Sequence, residues 1–151
     1  MVRKIVLILT LLFASVANAY MLMPIDEVYD GDTIKTHFSE KRLPAPLNKV
    51  SIRILGIDTP ENPAKSYLVT GKLGRAGCIK EAELALAAKE FVEWLAQGHT
   101  KMKVDNFKWD KYGGRIDADV KINGVDVAES LIDAELAVPY DGGTKTHDWC
   151  K

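Results

Sequence analysis

Ser51-Ile52-Arg53-Ile54-Leu55-Gly56-Ile57-Asp58-Thr59-Pro60-Glu61 is the stretch on which the reading of this chain turns. From Lys49 to Ile57 the residues alternate, with Val50, Ile52 and Ile54 facing one way and Ser51, Arg53 and Leu55 the other. Period two is the signature of a half-buried strand. This strand carries an arginine in its middle and runs into Asp-Thr-Pro-Glu, where Pro60 forces the preceding residue out of helical geometry. A fold needs none of these charges at that place. A metal ion and a phosphate would need all of them.

On the N-terminal side, Met23 to Thr36 reads as a strand pair broken by a turn at Asp30-Gly31-Asp32, because Asp-Gly is a strong hairpin signal. His37 to Asn48 holds two prolines and mixed charge, so it is a loop or sheet edge. On the C-terminal side, Glu61 to Gly77 is a long loop with three basic residues and three glycines, and loops of that length are usually functional or mobile. Ile79 to Gln97 is the clearest helix, with an apolar stripe of Leu84, Ala88, Phe91 and Leu95 and a terminator at Gly98. Lys101 to Phe107 alternates around Met102 and Val104, and Ile116, Ala118, Val120 and Ile122 alternate after a turn at Asp110 to Gly114. Asn123-Gly124 is a second hairpin-type turn. Asp126-x-x-Glu129 has capping-box spacing and opens a short helix to about Ala134. The order is three strands, helix, two strands, helix. It predicts a β-barrel with helices (α+β): a small five-stranded OB-type barrel with two helices and a short polar C-terminal tail. A flat α+β sheet is the alternative.

The 151 residues imply one domain. Residues 1–19 stand apart as a secretory signal peptide: Arg3 and Lys4, an apolar run from Ile5 to Ala14, then Ala17-Asn18-Ala19 before Tyr20. The run is too short to span a bilayer, which takes roughly 20 residues. An uncleaved anchor is the alternative. Residues 20–151 then form the domain. Without Arg3 and Lys4, 18 basic residues face 21 acidic ones, a formal charge of −3. That is not a polyanion-binding balance, so a nucleic-acid partner would have to be held by a local patch or a bound cation. Cys78 and Cys150 are the only cysteines. In an exported chain two cysteines read as one disulfide, with free thiols as the alternative. Three scattered histidines argue against zinc.

Taken singly, the candidate groups are bland. Asp30-Gly31-Asp32-Thr33 and Asp58-Thr59 are ordinary turn sequences, and Arg53, Glu61 and Arg115 read equally well as solvated charges. Taken together they are not. If the first and third strands lie side by side, Asp32 and Asp58 converge. Two carboxylates with a backbone carbonyl and waters make a hard oxygen site suited to Ca²⁺. Two arginines beside such an ion make a phosphate clamp, since guanidinium is planar, always charged and bidentate toward phosphate.

Asp30-Gly31-Asp32-Thr33, Arg53 to Glu61, and Asp110-Lys111-Tyr112-Gly113-Gly114-Arg115 resemble the three motif blocks of the staphylococcal nuclease, or thermonuclease-like, family. The likeness spans roughly residues 24–140, and its middle block is highly specific. The resemblance implies a five-stranded OB-type barrel and Ca²⁺-dependent hydrolysis of DNA and RNA to 3′-phosphate products. It implies that Asp32, Asp58 and the Thr59 carbonyl hold the calcium, with Asp30 behind them. Glu61 then orients or deprotonates the attacking water, Arg53 and Arg115 bind the phosphate, and Lys111, Tyr112 and Tyr140 contact the nucleotide. No base reading is expected, because phosphate contacts carry no sequence information. Single strands or flexible ends are the favoured substrates, periplasm or outside medium the location, and a monomer the default state.

Four places depart from the best-known member of that family. A second glycine precedes Arg115, the loop from Asn62 to Gly77 is longer, the chain stops soon after Tyr140, and Glu135 stands where a helix-ending glycine is expected. A Cys78–Cys150 bridge would pin the short tail in place of a final helix. Two other readings compete: a non-catalytic OB module binding nucleic acid or protein, and a disulfide-stapled structural domain whose charges are only solvated.

Overall fold

The computed structural model describes residues 19–39, 48–110 and 113–151, so the leader reading of residues 1–19 falls almost wholly outside the described residues. In chain order the elements are β1 (Met21–Pro24), β2 (Glu27–Val28), β3 (Thr33–His37), β4 (Lys49–Ile54) and β5 (Ile57–Asp58), then α1 (Tyr67–Thr70) and α2 (Ile79–Ala96). They continue with β6 (Lys101–Trp109), β7 (Arg115–Ile122), β8 (Val125–Asp126), α3 (Val127–Asp133) and β9 (Val138–Pro139). The fold is α+β. A mixed sheet runs β1-β6-β7-β4-β3-β2, with β8 on β7, and β5 and β9 form a separate pair. The β4–β7 pair is parallel and the others antiparallel.

The sheet is curled. In a flat sheet β1 and β3 would stand four strand spacings apart, at about 4.8 Å each. Instead the Thr36 hydroxyl on β3 donates to the Pro24 carbonyl on β1 at 2.6 Å. The inner face holds Ile34, Val50, Ile52, Ile54, Met102, Val104, Ile116, Ala118, Val120 and Ile122, closed off by Ala88 and Val92 of α2 and Val127 and Leu131 of α3. The alternation read in β4 is therefore the true one: Val50, Ile52 and Ile54 are buried, and Arg53 faces away from them.

Other expectations need correction. Met23 to Thr36 is not one hairpin, because Pro24, which has no N–H to donate, ends β1. The β1 strand pairs instead with β6, and the short β2 makes the hairpin with β3. The motif strand stops at Ile54. A turn at Leu55-Gly56 redirects the chain, so both Ile57 and Asp58 are buried as β5 pairs with β9. The buried face of α2 is Ala82, Ala85, Ala88 and Val92, while Leu84, Phe91 and Leu95 lie half-buried at its margins. Close approach explains the shift: a methyl group at Gly31 would stand 2.8 Å from the Ala88 methyl, so the centre of the contact admits only small residues. The loop from Glu61 to Gly77 carries a third helix, α1, with no buried residue and ended by Gly71 in the left-handed region.

Two local readings hold. Asp126 caps α3, its carboxylate accepting the Glu129 N–H at 3.2 Å. Glu135 has a left-handed backbone, φ 58°, at a cost of roughly 1–2 kcal/mol for a residue with a Cβ. Cys78 and Cys150 are disulfide-bonded across 72 residues. Among the described residues no helix is long and apolar enough to cross a membrane.

Candidate active site

Strand register places the sheet-borne charges. Thr33 on β3 pairs with Arg53 on β4, and Ser51, two residues before Arg53 and on the same face, pairs with Arg115 at the start of β7. Both arginines thus emerge on the outer face of adjacent strands. With Asp30, Asp32, Thr59 and Glu61 they line one cleft of about 390 Å³. Gly113 and Gly114, directly before Arg115, both take positive φ, 72° and 68°.

The first and second motif blocks meet through Gly31. A methyl group there would lie 3.1 Å from the Thr59 Cγ2, and the Asp32 carbonyl accepts the Ile54 N–H at 2.8 Å. Asp32, Asp58 and Thr59 are among the few buried polar residues. The Asp32 carboxylate accepts from the Thr33 hydroxyl at 2.8 Å and faces Arg53 Nη2 at 3.5 Å. Asp30 lines the same cleft, its Oδ1 accepting the Asp32 N–H at 3.2 Å. Burial, and then the neighbouring Asp32 charge, push the Asp30 carboxyl up to about 7. Crowding of acids this strong is what a cation relieves. Among the described residues no three Cys, His, Asp or Glu side chains form a metal cluster. Asp32, Asp58 and the Thr59 carbonyl offer only oxygen, the donor chemistry of a hard ion and not of a thiophilic one.

Each charged group already has a partner. Arg115 Nε donates to Asp110 Oδ2 at 2.7 Å, and a second guanidinium nitrogen shares that oxygen. Glu61 is paired with Arg75 and receives Lys145 Nζ at 3.0 Å. The same ammonium lies 2.5 Å from Asp58 Oδ1. Burial alone would lower the Lys145 pKa, but its bonds to Asp58 and Glu61 outweigh that and raise it.

Not every predicted residue joins the cleft. Asp58 lies under β9, and Lys145 joins it to Glu61. Tyr140 lines an adjoining hollow of about 670 Å³ with Arg53 and Arg115, its hydroxyl donating to the Gly143 carbonyl at 2.6 Å. Lys111 and Tyr112 lie outside the described residues.

Three residues escaped the sequence reading, Arg75, Glu81 and Lys145, and Asp110 was read only as part of a turn and motif block. Glu81 is buried, and its carboxylate accepts the Glu61 N–H at 3.1 Å and the Gly77 N–H at 2.6 Å. Its signal was present in Cys78-x-x-Glu81, a capping-box spacing, and the Cys78 sulfur does accept the Glu81 N–H. Arg75 and Lys145 had no local signal.

Residues 51–148, more than half of the chain, match the family described as staphylococcal nuclease homologue, and the chain belongs to that family. No curated protein matches the chain significantly.

Proposed function

We propose that the chain is a calcium-dependent nuclease, exported to the periplasm or beyond, that hydrolyses DNA and RNA without sequence specificity and leaves 3′-phosphates. The family's nucleases and nucleic-acid substrates support the general reading, and the curled sheet supports an OB-type five-stranded barrel as its frame. The observation that carries the rest is the meeting of Asp32, Arg53, Thr59, Glu61 and Arg115 in one cleft, with Asp58 bridged to it.

In this reading the Asp32 and Asp58 carboxylates and the Thr59 carbonyl hold Ca²⁺. Such an ion supplies Lewis-acid polarisation of the phosphate and a more acidic water. Arg53 and Arg115 grip the phosphoryl oxygens, where charge builds as the bond breaks. Both are pre-aimed, by Asp32 and Asp110, so little reorganisation is needed at the moment of reaction. Glu61 orients the attacking water and takes its proton, and Glu81 fixes the Glu61 backbone from behind. Single strands or flexible ends suit a cleft that must admit a phosphate and a water in line. The leader at residues 1–19 supports export, and the protein acts as a monomer.

The test is degradation of plasmid and of heat-denatured DNA by the purified chain, with Ca²⁺ and then with a chelator. Cleavage with Ca²⁺ that the chelator abolishes is expected. No cleavage with any divalent ion would favour a non-catalytic module. One observation favours that second reading: Glu61, Asp58 and Arg115 are each engaged by another side chain.

A further inference from the structure

We infer that Lys145 is a resident cation of the site, which a divalent ion binding at Asp58 must displace, so that the C-terminal tail sets the ion affinity. The inference rests on the proposed role of Asp58 as an ion ligand. Lys145 Nζ lies 2.5 Å from Asp58 Oδ1 and 3.0 Å from Glu61 Oε1. A calcium ion binds carboxylate oxygen at 2.3–2.6 Å, which is the range this ammonium already occupies. Two cations cannot share that oxygen at such separation without strong repulsion.

The contact is not that of a stray surface lysine. The Asp58 side chain is 5 % exposed, so the direction from which a cation can reach it is restricted. The tail is fixed on both sides of Lys145. Upstream, the Tyr140 N–H donates to the Gly56 carbonyl at 2.9 Å. Downstream, Cys150 is bonded to Cys78 at the start of α2, and Lys80 Nζ donates to the Lys151 carbonyl at 2.6 Å. Nine residues strung between the two anchors hold the ammonium at the site. Arg53 faces Asp32 and Arg75 faces Glu61, so Lys145 balances the acid that those arginines do not. The arrangement ties both carboxylates to one ammonium before any ion arrives, and it raises the concentration of ion needed to occupy them.

The experiment is Ca²⁺ binding by isothermal titration calorimetry on the disulfide-bonded chain, wild type against Lys145→Met and Lys145→Arg. Near-ultraviolet circular dichroism checks the fold. Methionine keeps the apolar stem and removes the charge, so Ca²⁺ should bind about tenfold tighter or more. Arginine keeps a cation and should bind Ca²⁺ more weakly than the methionine variant. Binding by Lys145→Met alone, with none by the wild type, would also support the inference. Affinity unchanged or weakened in Lys145→Met overturns it while leaving the calcium reading intact. Absence of binding in all three proteins overturns both.

Discussion

The two halves of the site are built differently. Arg53, Arg115 and Asp32 stand on or beside strands whose opposite faces are the core, and their spacing is that of hydrogen-bonded registers. Glu61, Arg75 and Lys145 stand on a loop and a tail, brought together by ion pairs and a disulfide. The first half is held by burial and main-chain pairing, which mutation of one charge leaves intact. The second is held by side chains that neutralise one another, so each removal is felt by the rest.

The largest test of this contrast is the disulfide. Replacing Cys78 and Cys150 with serine removes a 72-residue closure worth about 4 kcal/mol in the chain-entropy model. Urea unfolding should show that loss. Native-state hydrogen exchange should show residues 140–151 opening while β4 and β7 keep their protection. If β4 lost protection equally, the halves would not be separable.

Next come the charges themselves. In the proposed nuclease, Arg53→Ala, Arg115→Ala and Glu61→Ala should each lower turnover by about 10²–10³-fold with the fold intact. The arginine variants should keep their melting temperature, because the core lies on the other face of their strands. Any one of them with near-wild-type turnover would lose its assigned role.

A pH effect concerns Asp30, which lies beside Asp32. Its carboxyl titrates near 7 when folded, above the ordinary value, because it is buried beside Asp32. The folded state therefore holds more protons between about pH 4 and 7. With a chelator present, stability should be fully expressed below that window and fall across it, by up to about 1.4 kcal/mol per pH unit. Asp30→Asn should flatten the fall. Urea midpoints at pH 4, 5.5 and 7.5 that drop as steeply in the variant would sink this account.

The same contrast governs what the chain discloses as a string of letters. The inward face of β4 and the positions of Arg53 and Arg115 are legible because alternation is local and burial enforces it. The cap at Asp126 is legible from its local spacing to Glu129, and the special place of Glu135 from the family resemblance. The α2 stripe was read in part: Ala88 is in the core and Phe91 and Leu95 pack against it, but Ala82 and Ala85 were passed over because leucines outweigh alanines in any hydrophobic pattern. Here the tight seam against Gly31 selects alanine, a fact about a neighbour 57 positions away. Lys145 was invisible because its place depends on where Cys150 closes. No local periodicity encodes that.

The parallel pairing of β4 with β7 has one last consequence. Ser51 opposite Arg115 and Ile52 opposite Ile116 belong to the same ladder. A slip of one residue would turn the slipped strand's arginine toward the oily interior and push its isoleucines into water. The distance between two positive charges is thus indexed to a stack of hydrocarbon that never touches them. Drift could loosen the tail or the loop without altering that ruler, and only a sequence that abandons the core could redraw it.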